Sequence, residues 1–440
     1  MTAHLAANCE GDSWRRGGGT ATYEGNNLCG EGSSGPACYT SRPVTQASRN
    51  QVPPSDAARP PPSRSFVRQH AGKLVASFVI TCGIVMTVHK GGLKFLPEGG
   101  DFNGVRVWTL PVYLASLIAM NWFRSIRWRF LLREVKTMPR SRLFAISAIG
   151  FTAILLLPFR LGEIVRPYLI RTRPSERGSG TAKITLTAAT SSIIAERVID
   201  ALFLSIVLAV ALLVVPTVHP LPDRVVGLPV SVATVRRSGF VMLAVSCAAF
   251  ATIAIFYVAR GWAHRTTLSV VGRVSAPLAE RLAATAEKFA DGLHVFGRGR
   301  DALGFFVETS LYWGINAGGM WFLAWGCGVV HADGSSPTFG EACALMGMLG
   351  CAILIPGPPG LLGVFQAGIY AGMTMFYPTG VVVQAGAAYV FLVYSGQVFV
   401  QLALSIWGLA TMGGKGGITG GLVALRDASH SKDAQAEGVA

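Results

Sequence analysis

Long apolar runs separated by short charged stretches occupy most of the chain between residues 71 and 411. Six of these runs are close to or above the roughly 20 residues that an α-helix needs to span a bilayer. They predict spanning helices near 71–89, 107–131, 184–215, 239–259, 303–330 and 381–411. The pattern therefore predicts an all-α polytopic membrane protein.

Two further apolar segments do not fit as ordinary spans: Pro158 follows the first, near 143–157, and prolines and glycines at 356–360 interrupt the second, near 342–376. Proline removes a backbone donor and glycine adds chain freedom, so neither segment can continue as one straight helix. We predict that each forms a re-entrant hairpin, because basic residues flank the first on both sides and none flanks the second. The predicted turn residues are Pro158, Gly162, Pro356, Gly357, Gly360 and Gly363.

The basic residues are grouped beside the apolar segments. Seven lie within 124–142, six lie within 160–183, and none lies within 301–414. The positive-inside rule places such groups, and with them both chain termini, in the cytoplasm.

This orientation divides the membrane region, residues 66–412, into two halves at 71–215 and 239–411, joined by a loop at 216–238. Each half has the order helix, helix, hairpin, helix, and the two halves cross the membrane in opposite directions. Inverted repeats with broken helices are typical of secondary transporters, whose binding sites lie where the broken helices meet.

The remaining segments differ in composition. Residues 1–65 are rich in Gly, Ser, Pro and Arg and contain no long apolar block, which predicts a disordered tail; residues 413–440 are predicted to be a flexible C-terminal tail. Residues 277–298 repeat apolar side chains on one helical face, which predicts an amphipathic helix on the cytoplasmic surface, most simply a linker.

Several functional classes are disfavoured. The net charge of +15 does not indicate nucleic-acid binding, because the basic residues follow the membrane segments. The eight cysteines form no C-x-x-C pair and the eight histidines are dispersed, so we expect neither disulfides nor a metal site. The pattern G-x-G-x-x-G at 30–35 lies in the predicted tail, away from any strand or helix, and is rejected. We expect no cofactor and no enzymatic activity.

Two groups of charged residues lie where a membrane segment should avoid them. Charges at membrane depth cost at least about 2.5 kcal/mol each on insertion scales, so they usually pair, meet water or bind a ligand. An ion-pair network between the groups and the binding of a lipid headgroup are both open, and neither excludes the other. The candidate lipid-binding residues are Arg160, Glu163 and Arg166 in the first group and Glu196, Arg197 and Asp200 in the second.

Arginines and tryptophans are interleaved where the second predicted helix ends. Aromatic side chains anchor helices at the interface, and arginines meet the phosphates of the inner leaflet. Simple interfacial anchoring is the more economical interpretation; the alternative is an access point for lipid headgroups. The residues concerned are Arg124, Arg127, Trp128 and Arg129.

Two glycine pairs, Gly314 with Gly318 and Gly368 with Gly372, have a spacing of four. Residues at this spacing share one helical face. Small residues on one face permit close helix approach in membranes, so we predict helix contacts at both pairs.

Four motifs, in order along the chain, resemble the lysylphosphatidylglycerol synthase transmembrane-domain family. They are Arg127-Trp128 with Leu131-Leu132, then Pro158-x-Arg-x-Gly-Glu-x-x-Arg166, then Glu196-Arg197 with Asp200, and finally Pro356-Gly-Pro-Pro-Gly-Leu-Leu-Gly363 leading to Gln366. The resemblance covers roughly residues 70 to 412. It implies an integral lipid flippase domain with two inverted halves and re-entrant hairpins.

Compared with this family, the chain differs in two respects. In two-domain members this region translocates an aminoacylated phospholipid made by a soluble synthase domain that follows it. Here about 30 residues follow the last predicted helix, too few for such a domain, so we expect no aminoacyl transfer. The family commonly has a glutamate where this chain has Gln366, a candidate lipid-binding residue that can form hydrogen bonds but cannot titrate.

We expect a lipid translocase of the bacterial cytoplasmic (inner) membrane that moves a phospholipid or lipid-linked headgroup between leaflets. Arg160 and Arg166 would hold the phosphate, while Glu163, with Glu196 or Asp200, balances them or receives an amine. One alternative is a non-transporting, lipid-binding partner of an enzyme of envelope lipid or glycoconjugate biosynthesis. Another is a membrane-embedded transferase with Glu163 or Asp200 as the base.

Overall fold

The computed structural model describes residues 75, 79, 82, 83, 86, 94, 96–133, 138–157, 162–163, 165–170, 186–218, 223, 225, 231–273, 275–277, 279–284, 299–354 and 359–412. Every regular element within these residues is helical, as predicted. Both predicted tails lie outside them, as does most of the predicted helices near 71–89 and 277–298.

The described helices include both long, apolar elements and short ones. In chain order they are α1 (Thr109–Ile126), α2 (Trp128–Leu132), α3 (Arg140–Leu156), α4 (Val165–Ile170), α5 (Leu186–Val214), α6 (Val232–Val258), α7 (Arg260–Val271), α8 (Gly299–Gly326), α9 (Phe339–Leu354), α10 (Val364–Met373), α11 (Thr379–Val383) and α12 (Ala385–Met412). Short 3-10 turns cover Gly99–Phe102 and Pro359–Leu361.

Three stretches of the described helices are long and apolar enough to cross a membrane. They are Ala189–Val214 in α5, Val232–Thr252 in α6 and Ala385–Met412 in α12. Large apolar side chains such as Val245 on α6 and Phe399 on α12 are exposed, as expected for helices in contact with lipid. The chain is thus a multi-pass membrane protein. The spans predicted near 71–89, 107–131 and 303–330 stay predictions.

The chain reverses direction at the first predicted hairpin. A Cβ atom on Gly162 would lie 2.1 Å from the backbone of Ala153 and Ile154, and one on Gly150 would lie 2.1 Å from the side chain of Arg166. These contacts pair later residues with progressively earlier ones, so the segment containing α4 runs back along α3. Glycine is required at both positions because any side chain would collide with the opposite limb.

The second predicted hairpin reverses in the same way. Gly368 on α10 lies against Leu349 on α9, and Gly372 lies against Leu345. The predicted helix contact at this glycine pair is therefore confirmed. The re-entrant position of either hairpin in a bilayer stays a prediction.

The described residues bring no neighbour to the other glycine pair, so the contact predicted there stays a prediction. Cβ atoms on Gly314 and Gly318 would have nothing within 4 Å among the described atoms. Instead α8 approaches α1 through Gly319, against Ser116, and through Gly326, against Thr109. Spacing alone does not say which face of a helix meets a neighbour, and α8 carries glycines on more than one face.

Packing between the two predicted halves is reciprocal. Helix α12, which ends the second half, packs on α3, the first limb of the first hairpin; α5, which ends the first half, packs on α9, the first limb of the second hairpin. The second helices of the halves, α1 and α8, pack against each other. This exchange brings the two hairpins to opposite walls of one interior space.

Candidate functional site

A cavity of about 340 Å³ lies between the two hairpins. Its walls come from both hairpins and from α1, α5, α8 and α12, with one residue of α6. The lining residues that carry the argument below are Asn121, Arg124, Phe151, Glu163, Arg197, Asp200, Ala201, Tyr312, Trp313, Asn316, Met346, Leu349, Ile353, Leu361 and Phe365. The cavity therefore lies where the sequence predicts that broken helices meet.

The cavity is amphipathic: its charged lining side chains come from the first half of the chain, and apolar side chains line it from both halves. The first half contributes the charged side chains of Arg124, Glu163, Arg197 and Asp200. The second hairpin, from Met346 to Phe365, contributes apolar side chains, glycines and a cysteine. One wall can thus meet a charged headgroup while the opposite wall meets hydrocarbon.

A buried ion-pair network lies behind the charged wall. The two terminal nitrogens of Arg127 donate to the two carboxylate oxygens of Asp200, each at 2.6 Å, and Nη2 also donates to Glu196 at 3.0 Å. Thr309 accepts from Arg127 Nη1 at 2.9 Å. Because Arg127 and Glu196 are fully buried, this bidentate geometry offsets a large desolvation cost. The network holds Asp200 at the cavity edge.

The first hairpin joins this network through Arg166, on α4. Its Nη1 donates to Glu196 Oε2 at 3.1 Å, and its guanidinium stacks on Trp128, 4.3 Å from the ring centroid. The side chain is fully buried and crosses α3 at Gly150. The geometry of Glu196 and Arg166 thus agrees with the ion-pair interpretation. Through this contact the first hairpin is joined to α5.

Of the candidate residues in the two charged groups, Glu163, Arg197 and Asp200 line the cavity, whereas Arg166 and Glu196 lie behind it. Arg160 lies outside the described residues, as do the predicted turn residues Pro158, Pro356 and Gly357.

The predicted headgroup access point is wrong for two of its four residues. Arg127 and Trp128 are fully buried, and Trp128 donates its indole N–H to Ser192 at 3.0 Å. At the α1–α2 junction both side chains pack into the protein interior, so neither reaches an interface. Arg129 pairs with Glu308 at 2.6 Å, and Arg124 lines the cavity itself.

Gln366 has a local structural contact. Its side-chain oxygen accepts a hydrogen bond from the backbone N–H of Gly363 at 2.7 Å, at the start of α10, and the residue is buried. An amide oxygen makes this contact without carrying charge, which suits a helix start beside an apolar wall. The turn before it contains Gly360 and Gly363 with φ values of 74° and 86°, the left-handed region that glycine tolerates.

Sequence reasoning missed several polar lining residues. Asn121 and Asn316 lie on α1 and α8, with Tyr312 one turn before Asn316. The sequence did contain a signal for the two asparagines, because each is a polar residue inside an apolar run. Asn121 also shares a helical face with Arg124, and Asn316 shares one with Tyr312. Which of these faces lines a cavity depends on helix packing.

Among the described residues, no three His, Cys, Asp or Glu side chains are grouped to hold a metal ion. The cavity instead offers guanidinium, carboxylate, amide and indole groups beside hydrocarbon. That combination suits binding of an amphiphile through ion pairs and hydrogen bonds.

Comparison with known proteins gives one match. The family described as the lysylphosphatidylglycerol synthase TM region matches residues 101–420 of the chain. No curated protein and no solved structure matches. The matched range includes every cavity-lining residue named above, and it covers well over half of the chain.

Proposed function

Because this chain belongs to the lysylphosphatidylglycerol synthase transmembrane-region family, a membrane domain of lipid-related proteins, we propose that it is a lipid translocase of the bacterial inner membrane. The observation that carries the proposal is the amphipathic cavity between the two hairpins. A phospholipid headgroup and the first part of its acyl chains have the same division into polar and apolar parts.

The hairpin architecture supports transport over static binding. Helices that end inside a membrane leave backbone groups unpaired, and these are tolerated only where they are buried or line a polar cavity. In transporters with two related halves, movement of one half against the other exposes a central site alternately to the two sides. Helix α12 of the second half packs on α3 of the first hairpin, and α5 of the first half packs on α9 of the second. Movement of either half would therefore displace a hairpin limb of the other.

A second candidate is a lipid-binding partner that presents its lipid to a separate envelope biosynthetic enzyme and does not transport. The buried network of Arg127, Glu196 and Asp200 favours it, because a polar wall held in place by buried ion pairs suits a binding site of fixed shape.

Reconstitution separates the two candidates. Purified protein is placed in liposomes with a trace of phospholipid labelled on its headgroup, and a membrane-impermeant reductant quenches the label in the outer leaflet. A translocase exposes inner-leaflet label as well, with or without an imposed proton gradient. If quenching stops at the outer-leaflet fraction in both conditions, as in protein-free liposomes, while a lipid copurifies with the protein, the second candidate replaces the first.

A matched pair of variants links the activity to the cavity. Ala201→Phe adds bulk to the cavity wall on α5, whereas Ala251→Phe adds the same bulk to an exposed position on α6. We expect the first to slow translocation roughly tenfold or more, which is about 1.4 kcal/mol in the barrier, and the second to leave it unchanged. Equal rates for both variants would contradict a route through this cavity.

A further inference from the structure

The charges at the polar end of the cavity do not balance. Among the described residues there, Glu196 and Asp200 are bound by the buried Arg127 and Arg166. What remains is Arg124 and Arg197, against the single carboxylate of Glu163. The formal sum for this group is one net positive charge, from Arg124, Arg127, Arg166 and Arg197 against Glu163, Glu196 and Asp200.

The two cavity-lining arginines keep unused hydrogen-bonding capacity. Nε of Arg124, and Nε and Nη2 of Arg197, are buried and have no hydrogen-bond partner among the described residues. Arg197 lies 3.6 Å from Glu196 and 3.9 Å from Asp200, distances too long for hydrogen bonds. Arg124 stacks over the ring of Phe151 at 3.8 Å. Buried donors of this kind require a partner beyond those that the described residues supply.

Neutral polar groups of the same cavity are also unpartnered. Within the part of the chain that the structure describes, the side-chain oxygens of Asn121 and Asn316 lack a donor, and the indole N–H of Trp313 lacks an acceptor. An amide oxygen accepts from a hydroxyl, and an indole N–H donates to one or to a phosphate oxygen. The unsatisfied set therefore consists of cationic donors together with groups that suit hydroxyls.

We propose that the cavity prefers lipids whose headgroup is an anionic phosphodiester carrying hydroxyl groups, over lipids with zwitterionic or cationic headgroups. The phosphate lies between Arg124 and Arg197, where its one negative charge cancels the one positive charge of the site. Hydroxyls of the headgroup bond to Asn121 and Asn316, and the acyl chains lie along the second hairpin. The preference rests on the proposed function in one respect: the bound lipid is taken to be the lipid that the protein transports.

The apolar wall distinguishes a lipid from a free anion. A soluble phosphate would satisfy the arginines but leave the apolar lining from Leu349 to Phe365 in contact with water, whereas a lipid covers both. A zwitterionic headgroup brings no net charge, and a cationic one adds to the surplus. Both therefore leave uncompensated charge in a site of low dielectric.

Lipid retention tests the preference directly. The whole chain is placed in nanodiscs made from equal parts phosphatidylglycerol and phosphatidylethanolamine, extracted into mild detergent, and the retained lipid is identified by native mass spectrometry. We expect about a tenfold excess of the anionic lipid on the wild-type protein, equivalent to about 1.4 kcal/mol. Arg124→Gln and Arg197→Gln should each remove most of this excess. The exposed Arg265, changed to Gln, is the matched control and should retain it.

Two further measurements test whether loss of charge or misfolding causes the effect, and whether the ligand is a lipid or free phosphate. Arg197→Lys keeps the charge and should keep the anionic preference, so loss in Arg197→Gln with retention in Arg197→Lys identifies charge as the cause. Equal retention of the two lipids by well-folded wild type overturns the proposal. So does binding of inorganic phosphate to delipidated protein with the same dependence on Arg197 when the anionic lipid is not retained.

The proposal and the translocase function fail separately. Anionic lipid retained in an Arg197-dependent manner, with no lipid changing leaflet in the liposome assay, removes the translocase function and leaves the preference standing. Translocation of both labelled lipids at equal rates, with equal retention, removes the preference and leaves the function standing.

Discussion

At the residue scale, one buried arginine holds two carboxylates. Arg127 reaches Asp200 through a bidentate contact and Glu196 through a single one, with all three side chains almost entirely removed from solvent. Burial makes the network asymmetric in its energetics. Forming it yields little net stability, whereas removing one partner leaves a charge that neither water nor protein compensates.

We therefore expect Arg127→Leu to lower the free energy of unfolding by about 3–5 kcal/mol, the usual result of breaking a buried pair. Arg127→Lys should also destabilise, because an ammonium cannot reproduce the bidentate contact. Equilibrium unfolding in mixed micelles measures both.

The double variant Arg127→Leu/Asp200→Leu is the informative control, since it removes one positive and one negative charge together. It should recover part of the loss. A stability of Arg127→Leu within about 1 kcal/mol of wild type would show that the pair is solvated and would contradict the buried network.

At the element scale, each hairpin depends on glycines that let its limbs touch. Around Gly162 the approaching atoms are backbone atoms of α3, which cannot rotate away. Around Gly372 the nearest atom belongs to the flexible side chain of Leu345. The first hairpin is therefore the less tolerant of the two, and it also carries Arg166 and Glu163 to the site.

Gly162→Ala and Gly314→Ala make a matched comparison. The first should destabilise by about 1–3 kcal/mol or more, because overpacking forces the hairpin limbs apart. The second replaces a helical glycine with open space around it and should be neutral or stabilising by up to about 1 kcal/mol.

The readouts are the unfolding midpoint in micelles and the translocation rate in liposomes. If Gly162→Ala keeps wild-type values for both, the close approach of the first hairpin's limbs does not exist in the membrane.

At the scale of the whole molecule, the reciprocal packing of the halves converts two separate hairpins into one cavity. The charged lining side chains come from the first predicted half and the second hairpin contributes an apolar wall, so the site is chemically asymmetric although the two predicted halves pack reciprocally. The segment 301–414 contains no Lys or Arg, and the predicted orientation places its loop at 327–338 on the outer side of the membrane. The same orientation places the basic segment at 124–142 on the inner side.

Labelling with a membrane-impermeant maleimide tests that orientation. After the eight native cysteines are replaced, Ser336→Cys and Ser141→Cys each introduce one thiol at an exposed position with little change in shape. In intact cells we expect labelling of the Ser336→Cys variant, and labelling of the Ser141→Cys variant only after permeabilisation. The opposite pattern would reverse the assigned topology without affecting the fold.

The sequence by itself determined the helices and the breaks, because apolar length and proline or glycine interruptions act locally. Helices α5 and α12, and the reversals between α3 and α4 and between α9 and α10, follow the predicted positions closely. It also marked Glu163, Arg197 and Asp200 as misplaced charges, since a charge inside an apolar run is visible without a structure.

Only the tertiary structure decided which charge meets which. Arg127 pairs with Asp200 across 73 residues, and the same fold buries Trp128, which the linear pattern placed at an interface. These outcomes depend on helix rotation and on which neighbours pack together, and both are set by long-range contacts that no local pattern encodes. The division between a buried network and a cavity with unsatisfied arginines therefore emerges only from packing.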